Sequence, residues 1–202
     1  MNIHPLISLA REAVENYIKE EKIIPPPTDF PKEFLERKAG TFVTIEKNGN
    51  LRGCIGTYLP TRKHIAEEII YNSIAAATED YRFGSIQKEE LSYLSYTIYI
   101  LSEPELVLTK DVSDPPKFFF EKLRRAGLDP EKYGIIVKTV PITPSSDVVF
   151  NGHFIPKTGL LLPDLKGVDT IEQQISIACQ KGEIDPLKEK ISIYKFKVEK
   201  YQ

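Results

Sequence analysis

Residues 42–57 read FVTIEKNGNLRGCIGT, two runs of β-forming residues on either side of Asn48-Gly49. Asn-Gly best tolerates the positive φ angles of a type I′ turn, so the stretch predicts a β-hairpin. With a two-residue turn, Ile45 falls opposite Arg52 and Val43 opposite Cys54, and strand alternation places these four on one face. Phe42, Leu51 and Ile55 take the other. A hairpin apolar on both faces is expected to be covered on both. That would hold Arg52 and Cys54 in a partly enclosed place, roughly 7 Å apart along the strand. Gly53 and Gly56 flank the thiol. Glycine in a strand interior usually marks close approach of a ligand or of other backbone.

On the N-terminal side, Leu6, Leu9, Ala10, Ala13, Val14 and Tyr17 draw one stripe on a helix over residues 5–20. Pro25-Pro26-Pro27 ends it and imposes an extended connector as far as Pro31. After the hairpin a second helix is expected from Pro60-Thr61 to about Thr78, with Thr61 as N-cap. The small residues Ser73-Ile74-Ala75-Ala76-Ala77 suit close packing of this helix on the hairpin's sheet. A charged and aromatic exit loop, residues 79–83, follows. A largely buried central strand is expected over residues 91–101, stopped by Pro104. Residues 117–126 predict a helix presenting Phe118, Phe119 and Leu123 and ending at Gly127. Further strands are expected at 134–137, 160–162 and 191–201, and a last helix at 170–180 with Ile171, Ile175 and Ala178 inward. Residues 141–156 read as loop. No internal repeat is legible. The pattern defines an α+β fold, a mainly antiparallel β-sheet flanked by helices, with room for a small second lobe or flap within about 110–156.

The 202 residues, 41% hydrophobic and 28% charged, are ordinary for a globular chain with one substantial core or a main domain and a lobe. A formal charge of −2 gives no broad cationic field, so nucleic acid is not an expected partner. No run has the length and apolarity of a membrane span or signal peptide, and two distant cysteines suit reduced thiols, so a cytoplasmic location is expected. Two cysteines and three histidines without zinc-like spacing predict no metal site, and no glycine-rich phosphate loop is present.

Candidate chemistry centres on Cys54. A guanidinium beside a thiol favours the thiolate, so Arg52 is the expected activator. The alternative is a buried structural thiol with Arg52 in an ion pair. His4, His64 and His153 are the available imidazole bases. Asp80 and Arg82 form a second constellation, with Arg82 able to fork onto an anionic group and Asp80 to orient Arg52 or act as a base. Their structural alternative is a network that pins the exit loop to the sheet. Gly53, Gly56 and Thr57 complete the candidate substrate-binding set, with turn capping as the structural alternative for Thr57. Cys179 reads as packing.

Arg52-Gly53-Cys54-Ile55-Gly56-Thr57 also resembles the RGCIG signature of the AMMECR1 domain family. Asp80-Tyr81-Arg82-Phe83 is similar to the family's D-x-R-F element, Glu89-Glu90-Leu91 to its E-E-L/M, and Gly159-Leu160-Leu161-Leu162-Pro163 to its GLLLP. The resemblance implies one AMMECR1 domain over residues 1–202. It brings no agreed reaction and no cofactor, and it sets no oligomeric state. It implies a shared pathway or complex with a Memo-like protein and a radical S-adenosylmethionine protein, beside or fused to which relatives occur. Two readings follow. One is an enzyme or accessory enzyme in which Cys54, Arg52, Asp80 and Arg82 handle a small anionic or modified substrate. The other is an interaction module whose RGCIG strand is structural.

Overall fold

A computed structural model describes residues 3–141, 149–150 and 153–202. In chain order the elements are α1 (Pro5–Glu20), α2 (Lys32–Glu36), β1 (Thr41–Lys47), β2 (Asn50–Thr57), α3 (Ile65–Thr78), a 3-10 helix (Lys88–Tyr93), β3 (Leu94–Leu101), β4 (Glu105–Lys110), α4 (Pro116–Arg125), β5 (Gly134–Thr139), β6 (Val149–Phe150), β7 (His153–Phe154), β8 (Thr158–Leu161), α5 (Ile171–Lys181), β9 (Ile191–Phe196) and β10 (Val198–Tyr201). The α+β class stands, with helices flanking two four-stranded sheets. The chain divides into two compact units, Met1–Glu103 with Glu199–Gln202, and Pro104–Val198. The second covers the 110–156 stretch. Of the loop expected at 141–156, residues 142–148 and 151–152 lie outside the described residues.

In the first unit, α1 starts at Pro5, where a missing N–H costs nothing, and His4 Nδ1 accepts the Leu6 N–H at 3.3 Å. It buries Leu6, Ile7, Leu9, Ala10, Ala13 and Val14. Each large side chain so buried contributes roughly 1.5–3 kcal/mol. The sheet runs β10-β3-β1-β2, so β2 is an edge strand and β3 an interior one. Val43, Ile45, Tyr96, Ile98 and Ile100 pack with α1 and α3 in one core. The short α2, which no periodicity announced, buries Phe34. Helix α3 begins at His64 rather than Thr61. Thr61 is held instead by buried Glu68, which accepts from Thr57 Oγ1 (2.6 Å), Thr61 N and Oγ1 (both 2.8 Å) and Arg62 N (2.8 Å).

The hairpin turn is as expected, with Asn48 at φ 50° and Gly49 at φ 78° between paired Lys47 and Asn50. The register beyond it is not. A β-bulge at Arg52 leaves that residue without a partner, so Gly53 lies opposite Ile45 and Cys54 opposite Thr44. One extra residue reverses the alternation. Gly53 takes the face toward α3, and Cys54 shares the opposite face with Thr44 rather than with Val43 and Ile45.

The second unit has the sheet order β4-β9-β5-β8, with Ile135, Val137, Ile191 and Ile193 in a core closed by Phe119, Leu123, Ile171, Ile175 and Ala178. Phe118, expected inward, is 60% exposed because it falls off the stripe of Phe119 and Leu123. The strand expected over 191–201 is two strands. β9 pairs with β4 and β5, while β10 lies beside β3 in the first unit's sheet. No helix among the described residues is long and apolar enough to cross a membrane.

Candidate functional site

Because β2 is an edge strand, the N–H and C=O of Cys54 point away from β1 and need partners from elsewhere. The exit loop after α3 supplies them. Asp80 Oδ2 accepts the Cys54 N–H at 2.8 Å, and Arg82 Nη2 donates to the Cys54 carbonyl at 3.5 Å. The Asp80 carboxylate also accepts from Arg82 Nε (2.9 Å), Nη2 (2.7 Å) and N (3.2 Å). An Asp-Arg pair thus stands where a neighbouring strand would. The Arg82 hydrogen bonds hold the Asp80 carboxyl at about 2 against its burial, and Asp80 in turn raises Arg82.

Arg52 turns elsewhere. Its Nε and Nη2 grip Glu90 at 3.1 and 3.0 Å, and Nη1 donates to the Gly84 carbonyl at 2.7 Å. Glu90 also accepts from Lys47 Nζ and Gln87 N, both at 2.9 Å, and the Arg52 fork above all keeps its carboxyl at about 2. Asp80 and Arg82 therefore meet Cys54 through its main chain, while Arg52 meets Glu90. No hydrogen bond joins Arg52 to Asp80 or to the thiol among the described residues. Thr57 is bound to Glu68.

The space left by the two glycines is filled by the chain itself. A methyl on Gly53 would stand 2.0 Å from the Ala76 carbonyl oxygen of α3, and one on Gly56 would stand 2.3 Å from the Thr41 carbonyl oxygen. The histidines have other work. His4 and His64 cap α1 and α3 through Nδ1, and the His153 side chain lies outside the described residues. No group of three His, Cys, Asp or Glu able to hold a metal occurs among the described residues.

Cys54 is half-buried, with Thr44 Oγ1 donating to its Sγ at 3.3 Å. Across β1, Thr44 lies opposite Thr97, whose Oγ1 accepts from Gln202 Nε2 at 3.5 Å. Sequence reading missed Thr44, Thr97 and Glu68. Only the bulged register reveals the first two, and Glu68 sits inside an amphipathic helix pattern like any first-turn acid. Cys179 is buried, and desolvation pushes its thiol up to about 11. Native protein treated with iodoacetamide at neutral pH should therefore be carboxamidomethylated at Cys54 about tenfold or more faster than at Cys179, read by peptide mass spectrometry. Equal labelling of the two would contradict this burial pattern.

Fold and site define a two-unit α+β domain whose β2 edge is fastened to the loop after α3. The AMMECR1 family model matches residues 7–201, and the chain belongs to that family. It is 42% identical over 200 residues to a Thermotoga maritima protein, with 98% of each chain covered. It is 37% identical to a Clostridium acetobutylicum protein, covering 98% of this chain and 36% of that longer one. The crystal structure of the uncharacterized protein PH0010 from Pyrococcus horikoshii superimposes with a TM-score of 0.75 at 31% identity, over 96% of this chain and 88% of that one.

Proposed function

We propose that this domain is an interaction module in which residues 52–57 form a structural seam and the loop it fastens, residues 80–84, is the contact surface. The observation that carries this reading is Tyr81. Its side chain is 95% exposed, while Asp80 beside it is 4% exposed and tied by four hydrogen bonds. An exposed aromatic between two pinned residues, with a half-exposed arginine beside it, has the composition of an interface anchor on a main chain already held in place. The groups a thiol mechanism would draw on are already engaged. Arg52 serves Glu90, the Asp80 carboxylate at about 2 is a poor base, and neither glycine leaves open space.

The partners implied by the family resemblance are a Memo-like protein and a radical S-adenosylmethionine protein. Support for work beside other polypeptide comes from the Clostridium relative, of which this chain spans about a third. Immobilised wild type and Cys54→Ser should capture such partners equally, and Tyr81→Ala should weaken capture about tenfold or more. Loss of capture in a folded Cys54→Ser, with Tyr81→Ala unaffected, would reverse the assignment. It would favour the thiol-centred reading, which rests on the half-buried Cys54 and the Thr44 bond to its sulfur.

A further inference from the structure

We infer that copies of this chain associate head to tail, with Phe118 of α4 on one copy entering an acid-rimmed groove between α1 and the proline connector of the next. One surface is a rigid apolar hole edged by negative charge, the other an apolar knob edged by positive charge. Each lacks a partner within its own chain among the described residues. Neither includes residues 80–84, so the contact is separate from docking by Tyr81.

The hole comes from the first unit. Helix α1 and the connector over residues 27–31 enclose a groove of about 280 Å³, with Leu9 and Phe30, 1% and 8% exposed, at its floor. Its walls are set before anything binds. Pro27 and Pro31 have a fixed φ, the Phe30 N–H donates to the Pro27 carbonyl at 3.2 Å, and the Phe34 N–H donates to the Pro31 carbonyl at 3.0 Å. Glu12 and Asp29, both exposed, line the same groove, and no lysine or arginine does. Neither carboxylate is in an ion pair among the described residues. Such a groove selects an apolar group that carries positive charge beside it.

The knob comes from the second unit. Helix α4 turns Phe119 and Leu123 into that unit's core and leaves Phe118 60% exposed. Lys122 and Arg125 follow Phe118 at helical spacing and share its face, and Lys117 precedes it. All three cations are exposed and in no ion pair among the described residues, whereas Arg124 on the same helix binds Glu172. Cations in a last turn suit the helix dipole, which accounts for Lys122 and Arg125 but not for a phenylalanine left in water beside them. Tyr81, also exposed, matches the groove less well in charge, because the arginine beside it already serves Asp80.

Knob and groove are different patches, so the contact between copies is heterologous. Any pair keeps an open groove at one end and a free knob at the other, and growth continues unless a ring closes. A single aromatic edged by exposed charges is a small contact. Association is therefore weak, and salt weakens it further.

Sedimentation equilibrium of the full chain, from about 10 μM to about 1 mM, tests this. The weight-average mass of wild type should rise with concentration, and rise less in about 0.5 M salt. Phe118→Ser keeps the groove, and Glu12→Lys with Asp29→Lys keeps the knob. Each should stay close to monomeric, its self-affinity cut about tenfold or more. Mixed in equal amounts, the two should form a dimer that grows no further, since each supplies the half the other lacks. Lys122→Glu with Arg125→Glu, which spares the aromatic, should pair in the mixture far less than wild-type α4 does. All substitute exposed side chains and should melt within about 3 °C of wild type. A wild type that is monomeric throughout, or a mixture that associates no more than its parts, would overturn the contact. So would self-association that Tyr81→Ala abolishes, which would make a second copy the partner of the loop instead.

Discussion

Gly53→Ala is expected to lower stability by about 3 kcal/mol or more, a fall in unfolding midpoint of roughly 6–12 °C for a chain of this size. The added methyl would stand 2.0 Å from the Ala76 carbonyl oxygen and 3.1 Å from its carbon, and both are helix main chain that no rotamer change can move aside. Relief requires α3 to withdraw from the sheet by more than 1 Å. It would do so where Val43, Ile45 and Ile69 have no exposed surface to lose contact gracefully. Gly49→Ala is the informative control. Nothing lies within 4 Å of a methyl there, and only its φ of 78° resists a side chain, so about 1 kcal/mol is expected. Denaturant melts of the two variants decide the matter. Equal losses would mean that the helix does not rest on the strand as closely as described.

The same glycine shows what could be read from the chain and what could not. That backbone or ligand approaches Gly53 is legible from a glycine inside a strand pattern, and that α3 lies on the hairpin is legible from its run of alanines. Which face the glycine occupies is not. The Asn48-Gly49 turn sets the register correctly as far as Glu46 and Leu51, and the bulge at Arg52 then shifts it by one. No residue type advertises a bulge there, so Cys54 and Gly53 exchange faces. Arg52 is visible as a cation near a thiol, yet its partner Glu90 lies 38 residues away in a 3-10 helix whose second half, from Leu91, reads as the start of a strand. Alternation runs on through residues 191–201 although Phe196 and Val198 belong to different sheets, because period two reports burial and not which sheet does the burying. The three stretches read above as resembling family motifs, far apart in sequence, meet for a physical reason. Asp80 joins the second of them to Cys54, and Glu90 joins the third to Arg52.

Removing Asp80 is expected to cost about 3 kcal/mol at neutral pH and to flatten the acid side of the stability profile. The carboxylate is almost wholly buried, and Asp80→Ala leaves the Cys54 N–H without a partner and the Arg82 guanidinium without a counter-charge. Arg82 is half-exposed, which allows water to replace part of what it loses and keeps the figure at the low end for a broken buried pair. The sign of the pH effect follows from the carboxyl being held at about 2 in the folded chain against an ordinary 3.8. Its contribution is complete above 3.8 and disappears as pH falls from there through about 2, some 2 kcal/mol in all. Glu90, drawn from 4.5 to about 2 by Arg52, loses its contribution over an overlapping interval. Wild type should therefore weaken steeply on acidification below about pH 4.5, and Asp80→Ala should weaken less steeply because one of the two carboxylates is gone. Asp80→Asn separates the terms. Its amide oxygen can still accept the Cys54 N–H, so it should recover part of the neutral-pH loss while keeping the flattened acid limb. Urea midpoints measured from pH 2 to 7 on the three proteins give both quantities. An Asp80→Ala profile parallel to wild type across the acid range would show that the clamp carries no charge-dependent stability. The loop presenting Tyr81 would then have to be held by something other than this pair.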